Sequence, residues 1–353
     1  MKLFSLGTRF ALLSSAGLAA IATPAMAQNA APAADEPKLE EIVVTANKRS
    51  ESLQKVPLSI TAIPAAQLEL RGLSEAKDLS AIAPNVSVVG ATTNATAAVV
   101  SIRGIATSAD ETQGFDQPVG IYLDGVYLAR SSAQGFQVAD IERIEVLRGP
   151  QGTLFGKNAS AGVINITSIM PKHELSGNFE ASAFEGNEYR LKAAVNVPLA
   201  PDLAARLTGF WGKYNGNIFN QATNSKVNGY KHFGGRAQFL YDPSSALKIY
   251  VTADYHKNDD NCCADIIATP PIAGATGVAN PTSSSLAFNA LPAPNYANTR
   301  LINQNLVTAT KENGWGLSGQ ADIAVGSHTL TSISAYRVWN NTEIRDCDWL
   351  DKA

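Results

Sequence analysis

A glycine-rich stretch that contains a Gly-Lys pair, residues 149–158, has the spacing in this sequence that most suggests chemistry. Phosphate-binding loops follow the pattern GxxxxGK and then Ser or Thr, because glycine amides and the lysine surround the phosphates while the hydroxyl holds magnesium. Here Gln151 replaces the first glycine, and Asn158 stands where the hydroxyl is required. The sequence therefore indicates a structural role, with Gly156 and Gly162 allowing backbone bends and close packing.

Catalytic and metal-binding residues do not form a recognisable set. No Ser/His/Asp arrangement, paired-carboxylate site or metal-ligand spacing accompanies the histidines, which are scattered along the chain. The sequence therefore predicts no enzyme, no metal site and no cofactor. The formal net charge of -3 does not indicate nucleic-acid binding. The histidines are His173, His232, His256 and His328.

Three cysteines, Cys262, Cys263 and Cys347, cannot all pair within one chain. In an oxidising compartment cysteines tend to form disulfides. We predict a bridge from Cys347 to Cys262 or Cys263. A strained bridge between the adjacent pair is the less favoured alternative.

An export signal is predicted over residues 1–27. Lys2 and Arg9 supply its positive region, an apolar run follows over residues 10–22, and Ala25-Met26-Ala27 is a small-x-small cleavage site. The run is shorter than the roughly 20 apolar residues of a spanning helix, so a short membrane anchor is the weaker alternative. The mature protein is expected beyond the inner membrane. If it lies in a membrane there, it must be a β-barrel, because lipid cannot satisfy open strand edges.

Residues 28–47 are predicted to be a flexible linker, since alanine, proline and acidic residues predominate without periodicity. Within it, residues 41–46 are β-prone and have no evident partner strand nearby, which suits strand addition to another protein. On composition alone, a first strand of the following domain is the simpler interpretation.

Residues 48–172 are predicted to form a compact domain that mixes helices and strands. Helical signals over 65–70 and 74–81 precede short apolar runs bounded by Gly, Pro, Asn or Asp, as is typical of strands. Asp124-Gly125, between two such runs, predicts a two-residue hairpin. The other runs are 86–89, 99–102, 144–147 and 163–166.

Residues 173–353 contain alternating apolar and polar segments of about ten residues, the length of a tilted membrane-crossing strand. Tight turns alternate with long connections over 214–230 and 258–313, which is typical of outer-membrane barrels. A soluble β-sandwich is the alternative, and the strand length and export signal argue against it. We predict about seven strands, starting near residues 177, 188, 203, 231, 247, 314 and 328.

An odd number of strands is unusual, because bacterial single-chain barrels normally have an even number. An open sheet edge in lipid would also leave backbone groups unpaired. The final residues, 350–353, have the composition of a polar loop. The sequence is therefore expected to be the N-terminal part of a longer protein or a truncated product.

Several motifs, in order, resemble those of the TonB-dependent outer-membrane receptors. Residues 140–166, DIERIEVLRGPQGTLFGKNASAGVINI, closely resemble the plug-domain motif of that family. The segments SIRG at 101–104 and YLDGVY at 122–127 match further plug motifs, and EIVVTA at 41–46 resembles the TonB box. The resemblance is close across the predicted compact domain and extends to the barrel start in pattern only.

The resemblance implies a globular plug inside a barrel of about 22 strands and active import driven by TonB and the inner-membrane proton gradient. It also implies that Arg103 and Arg148 pair with carboxylates of later barrel strands, and we expect both to lack those partners here. Arg143, beside two glutamates, is expected to be an ordinary solvated charge. The residues that would pair with TonB are Glu41, Ile42, Val43, Val44, Thr45 and Ala46.

Ligand contacts are expected from the plug apices, residues 106–117 and 129–136, and from the long loops. Siderophore, cobalamin and glycan receptors share these motifs, so a ferric siderophore is one example of the scarce ligand. The alternatives are a passive channel, a surface-binding protein or a nonfunctional truncated receptor. The short segment before residue 41 predicts no signalling domain. Candidate contact residues are Gln117, Ser131, Gln134 and Phe136.

Overall fold

The protein is described by a computed structural model that covers residues 43–45, 48–49, 51–71, 76–90, 98–106, 116–129, 140–262, 264 and 300–344. These residues form a mixed part with short helices and strands, followed by a large antiparallel sheet. No helix among them is long and apolar enough to cross a membrane.

The first part, which we call the plug domain, extends to Ser168. Its strands are β1 Val43–Val44, β2 Glu51–Ser52, β3 Ile60–Pro64, β4 Val86–Gly90, β5 Ala98–Ile102, β6 Val119–Leu123, β7 Val126–Tyr127, β8 Ile141–Arg148 and β9 Gly162–Ser168. Its helical segments are 3-10 turns at Leu53–Lys55 and Ala76–Ala81, and α-helices α1 Ala65–Leu70 and α2 Gly152–Phe155. One sheet has the order β3-β8-β9-β6-β7, in which β6 and β9 are parallel, and β4 pairs with β5 in a second.

Branched apolar side chains from both sheets form the core of the plug domain. Ile63, Ile102, Ile144 and Ile166 are fully buried and belong to one cluster. β-Branched residues pack well on pleated strands, and burying each such side chain contributes about 1.5–3 kcal/mol. This core fixes β8 and β9, the strands that carry the polar site described below.

Most of the local predictions for the plug domain are confirmed. The helix over 65–70 is α1, whereas the described part of the second predicted helix, Ala76–Ala81, is a 3-10 turn. Asp124 and Gly125 have φ values of 49° and 80° between β6 and β7. Positive φ at both central residues is what a type I′ hairpin turn requires.

The glycine-rich stretch has the structural role that the sequence indicates. Gly156 adopts a φ of 78° immediately after α2, a conformation that favours glycine. A Cβ atom at Gly162 would lie 2.4 Å from the carbonyl oxygen of Leu147, so only glycine allows β9 to approach β8 this closely.

The second part is a seven-stranded antiparallel sheet, which we call the wall sheet. The predicted strand number is confirmed, and the predicted starts agree closely except that β18 begins five residues earlier than predicted, at Ala309. In sheet order the strands are β10 Ser176–Phe184, β11 Glu188–Ala200, β12 Leu203–Tyr214, β15 Tyr230–Ser244, β16 Leu247–Asp260, β18 Ala309–Val325 and β19 His328–Ile344. A small separate sheet contains β13 Ile218–Asn220, β14 Ser225–Val227 and β17 Leu301–Ile302.

The two faces of the wall sheet differ in polarity. Directly opposed residues on neighbouring strands share a face of the sheet. A row of aligned apolar residues therefore marks one face, which we call the outer face. The inner face carries Arg206 and Gln238, which are themselves aligned and contact the plug domain. The row on the outer face is Val195, Leu207, Ala237, Ala253 and Leu317.

Candidate functional site

The segment predicted to add as a strand to another protein is already paired within this chain. In β1, Val43 lies opposite Ser52 and Val44 lies opposite Glu51 of β2. Val44 is fully buried, whereas Val43 is 45% exposed. The expectation that this segment has no partner strand nearby is therefore wrong, because the chain turns back within a few residues and supplies one.

Thr45, which follows β1, is tied to a buried carboxylate of β8. Its backbone amide donates to Glu145 Oε1 at 2.7 Å, and its hydroxyl donates to the same oxygen at 3.1 Å. The Glu145 side chain is fully buried. Hydrogen bonds to ionised groups are stronger than those between neutral groups, so this contact holds the segment in place.

Arg143 and Asn165 complete this polar cluster. Arg143 Nε donates to Glu145 Oε1 at 2.8 Å, and Asn165 Nδ2 donates to Glu145 Oε2 at 3.2 Å. Arg143 Nη2 and Asn165 Nδ2 each lie 3.3 Å from the Thr45 hydroxyl. We call these four residues the Thr45 clasp.

The expectation that Arg143 is a solvated charge is wrong. Its side chain is 15% exposed, and it pairs with Glu145 as well as with the exposed Glu142. Strand geometry places Arg143 and Glu145 on one face of β8, and the register sets Glu145 directly opposite Asn165 of β9. A local signal existed, namely polar residues inside two otherwise apolar strands.

Lys48 lies close to the clasp. Its ammonium is 4.2 Å from the ring centre of Phe155 and 5.5 Å from that of Tyr122, distances that allow cation–π attraction. Burial lowers the pKa of Lys48 from its ordinary value, and the nearby Glu145 carboxylate opposes that shift. The segment before β2 is therefore held by apolar and hydrogen-bonding contacts, whereas burial of the Lys48 charge opposes docking.

Arg103 and Arg148, the predicted plug–barrel lock, are both in the plug domain and close to its surface. Arg148 donates from Nε to Ser59 Oγ and from Nη1 to the Pro84 carbonyl oxygen, each at 3.1 Å. Arg103 is exposed in a turn with a φ of 54°. In the part of the chain that the structure describes, no carboxylate forms an ion pair with either guanidinium, and their lock role stays a prediction.

A different ion pair joins the plug domain to the wall sheet. Asp140, immediately before β8, accepts from Arg206 Nε at 2.6 Å and from Thr208 Oγ1 at 2.8 Å. The side chains of Arg206 and Asp140 are only 8% and 3% exposed. The sequence analysis missed this pair, in which the arginine lies on the wall and the carboxylate on the plug.

The remaining predicted site residues are only partly covered by the structure. Gln117 is half-buried just before β6. Cys262 is disulfide-bonded, and its pairing with Cys347 or Cys263 stays a prediction. Among the described residues, no group of histidine, cysteine and acidic side chains could hold a metal ion. The predicted residues outside the described ranges are Glu41, Ile42, Ala46, Ser131, Gln134, Phe136, Cys263 and Cys347.

The described residues thus form a mixed plug domain, with a docked strand at its N-terminal side, that continues into a long-stranded antiparallel sheet. Comparison with known proteins relates part of the chain to one family. Residues 52–163 match the family model described as TonB-dependent Receptor Plug Domain. Residues 52–163 therefore resemble the plug domain of TonB-dependent receptors.

Individual relatives agree with this assignment. The chain is 30% identical over 210 residues to the pesticin receptor of Yersinia enterocolitica, a match that covers 59% of this chain and 30% of that receptor. It is 27% identical over 218 residues to the ferrioxamine B receptor of Salmonella typhimurium, covering 57% of this chain and 28% of that receptor. The chain therefore spans about 30% of the length of the curated relatives that it matches.

Solved structures show the same fold. The ferric yersiniabactin uptake receptor of Yersinia pestis superposes with a TM-score of 0.68 at 20% identity, over 81% of this chain and 41% of that one. The ferripyoverdine receptor of Pseudomonas aeruginosa superposes with a TM-score of 0.61 at 17% identity, over 80% of this chain and 34% of that one.

Proposed function

We propose that this protein is an outer-membrane receptor that imports a scarce ligand of the ferric-siderophore kind, with energy supplied through TonB. The observation that carries the proposal is the Thr45 clasp. It holds a short strand against the plug domain through one strand pair and one polar cluster, so the strand can leave without unfolding the core.

The exchange of strand partners follows from the geometry of β1. Pairing with β2 uses the backbone groups of only two residues on each strand. A partner that offers a longer strand provides more backbone hydrogen bonds, which is how strand addition gains affinity. TonB is therefore proposed to replace β2 as the partner of residues 41–46.

Export and domain organisation complete the proposal. Residues 1–27 act as a cleaved signal peptide, residues 28–47 as a tether that contains the coupling segment, residues 48–172 as the plug and residues 173–353 as barrel strands. The relatives include an iron-regulated outer membrane virulence protein of Vibrio cholerae, 31% identical over 183 residues, which supports the same location here.

The ligand class is supported by the names of the relatives. Proteins named as receptors for ferrioxamine B, ferric yersiniabactin and ferripyoverdine are among those that the chain resembles. A passive channel needs no docked coupling strand, and an enzyme needs a reactive group, so the clasp favours a receptor over both.

Deletion of residues 41–46 from the chromosomal gene tests this proposal. We expect the deletion variant to bind the ligand but to lose ligand-dependent growth under iron limitation. Val44→Pro should cause a similar loss of growth, because proline cannot donate a hydrogen bond to a strand partner. Val43→Ala, which keeps every backbone group, is the matched control. Unchanged uptake by the deletion variant would contradict the proposal.

A further inference from the structure

The outer face of the wall sheet carries a band of aromatic side chains. Trp211 lies directly opposite Phe233, and Tyr255 directly opposite Trp315. The rings of Phe233 and Tyr255 are 6.0 Å apart, and all four side chains are exposed. In outer-membrane barrels such bands lie at the level where hydrocarbon meets the lipid headgroups.

Lysines follow this band toward the strand ends that the long connections join. Lys213, Lys231 and Lys257 each lie two residues beyond an aromatic residue of their strand and on the same face. Two residues of a strand span about 7 Å. In a wall that spans the outer membrane, these ammonium groups would lie at headgroup level, on the face that points away from the plug domain.

Two of these lysines stand directly opposite each other, and Asp259 of β16 stands opposite one of them, Lys231, on its other side. Lys213 and Lys231 are direct partners across β12 and β15, a placement in which like charges repel. Neither ammonium forms an ion pair with any other residue that the structure describes. An anion bound between them would relieve this repulsion.

A cavity of about 470 Å³ lies at this position. Lys213, Lys226 and Lys231 line it together with Asp259 and Asn261, so three positive charges face one negative charge. Asn261 fixes the rim, because its Nδ2 donates to the Lys226 carbonyl oxygen at 2.9 Å and its Oδ1 accepts from the Gly229 amide at 2.6 Å.

We propose that this cavity binds the phosphate headgroup of an anionic lipid in the leaflet on the long-connection side of the membrane. The cavity can hold a phosphate, three lysines give its lining a net positive charge, and lysine is a common phosphate ligand. The adjacent aromatic and apolar face would contact the lipid's chains. The inference rests on the outer-membrane location that is part of the proposed function.

The test compares lipid retention by two charge-matched variants. The first carries Lys213→Gln, Lys226→Gln and Lys231→Gln, and the control carries Lys55→Gln, Lys157→Gln and Lys248→Gln, three exposed lysines outside the cavity. Each protein is extracted from its membrane in a mild nonionic detergent, and the retained phosphorylated lipid is counted by native mass spectrometry. We expect about a tenfold loss of retained lipid in the first variant and none in the control.

Several outcomes would overturn the inference. Equal retention by the cavity variant and the wild type would show that the lysines hold no lipid, and an equal loss in both variants would show a general charge effect. If inorganic phosphate alone displaced the retained lipid, the cavity would be a site for free anions. If an acidic protein were retained in place of lipid, the cavity would bind a protein partner. Lipid retention requires neither TonB nor a transported ligand, so it is read independently of the uptake experiment.

Discussion

Glu145 is the side chain on which the docked position of Thr45 depends. Its buried carboxylate accepts hydrogen bonds from Thr45, Arg143 and Asn165. A buried charge needs such partners, because removal from water disfavours it. When the segment undocks, Glu145 loses the hydrogen bonds from Thr45. The docked state therefore has the lower free energy.

Replacing Glu145 with alanine is expected to undock the segment. Each lost hydrogen bond to the charged group is worth about 1.5–3 kcal/mol, enough to raise the undocked fraction at least about tenfold. A spin label at Val43→Cys should show a larger mobile component. Glu142→Ala, which removes the 51% exposed partner of the same arginine, is the control. Identical mobility in the Glu145 variant and the wild type would contradict this role.

Lys48 gives docking a pH dependence. Its pKa in the docked chain is lowered below 10.5, so between the lowered value and 10.5 the docked chain binds fewer protons than the undocked chain. Docking therefore strengthens as pH rises through that window. The mobile component at position 43 should fall as the pH rises toward 10.5, and this fall should disappear in Lys48→Gln but persist in Lys55→Gln. A mobile component that grows as the pH rises would contradict the predicted strengthening of docking.

At the scale of elements, β8 connects the docked segment to the wall sheet. It carries Arg143 and Glu145 of the clasp, and Asp140 directly before it holds Arg206 and Thr208 of β12. β8 therefore lies between the clasp and the ion pair that holds the plug domain to the wall, while the segment is also paired with β2.

Breaking the Asp140–Arg206 pair is expected to weaken the attachment of the plug domain. Asp140→Asn leaves a buried guanidinium without its charged partner, which costs about 3–5 kcal/mol. Denaturant unfolding followed by a fluorophore in the plug domain should show a lower midpoint. Asp254→Asn is the control, because Asp254 pairs with Arg337 within the wall sheet and its loss should spare the plug signal. If Asp254→Asn lowered the unfolding midpoint of the plug domain more than Asp140→Asn did, the role of the Asp140–Arg206 pair would be contradicted.

The sequence predicts the elements far better than the contacts between them. Alternation with a period of two is a local property, so residues 189–197 and 247–256 reveal wall strands without any knowledge of their neighbours. The clasp joins Thr45 to residues about a hundred positions away, and no local pattern sets that pairing. Asp140 and Arg206 were missed for the same reason, since each is unremarkable in its own segment.

At the scale of the whole molecule, the chain joins a short docked strand, a packed plug domain and a wall. The plug core is dense around β8 and β9, whereas β1 is held by two residue pairs and the clasp. The N-terminal segment is therefore attached through fewer contacts than the strands of the plug core. This difference is what the proposed exchange of strand partners requires.

Crosslinking from position 43 to TonB in cells tests the central claim most directly. A photoreactive residue at position 43 should crosslink to TonB. The crosslink yield without ligand should rise in Glu145→Ala. Val44→Pro should abolish the crosslink, because the strand can no longer pair. A yield that is the same in all three backgrounds, or absent throughout while the protein still imports its ligand, would show that the docked segment is not the coupling strand.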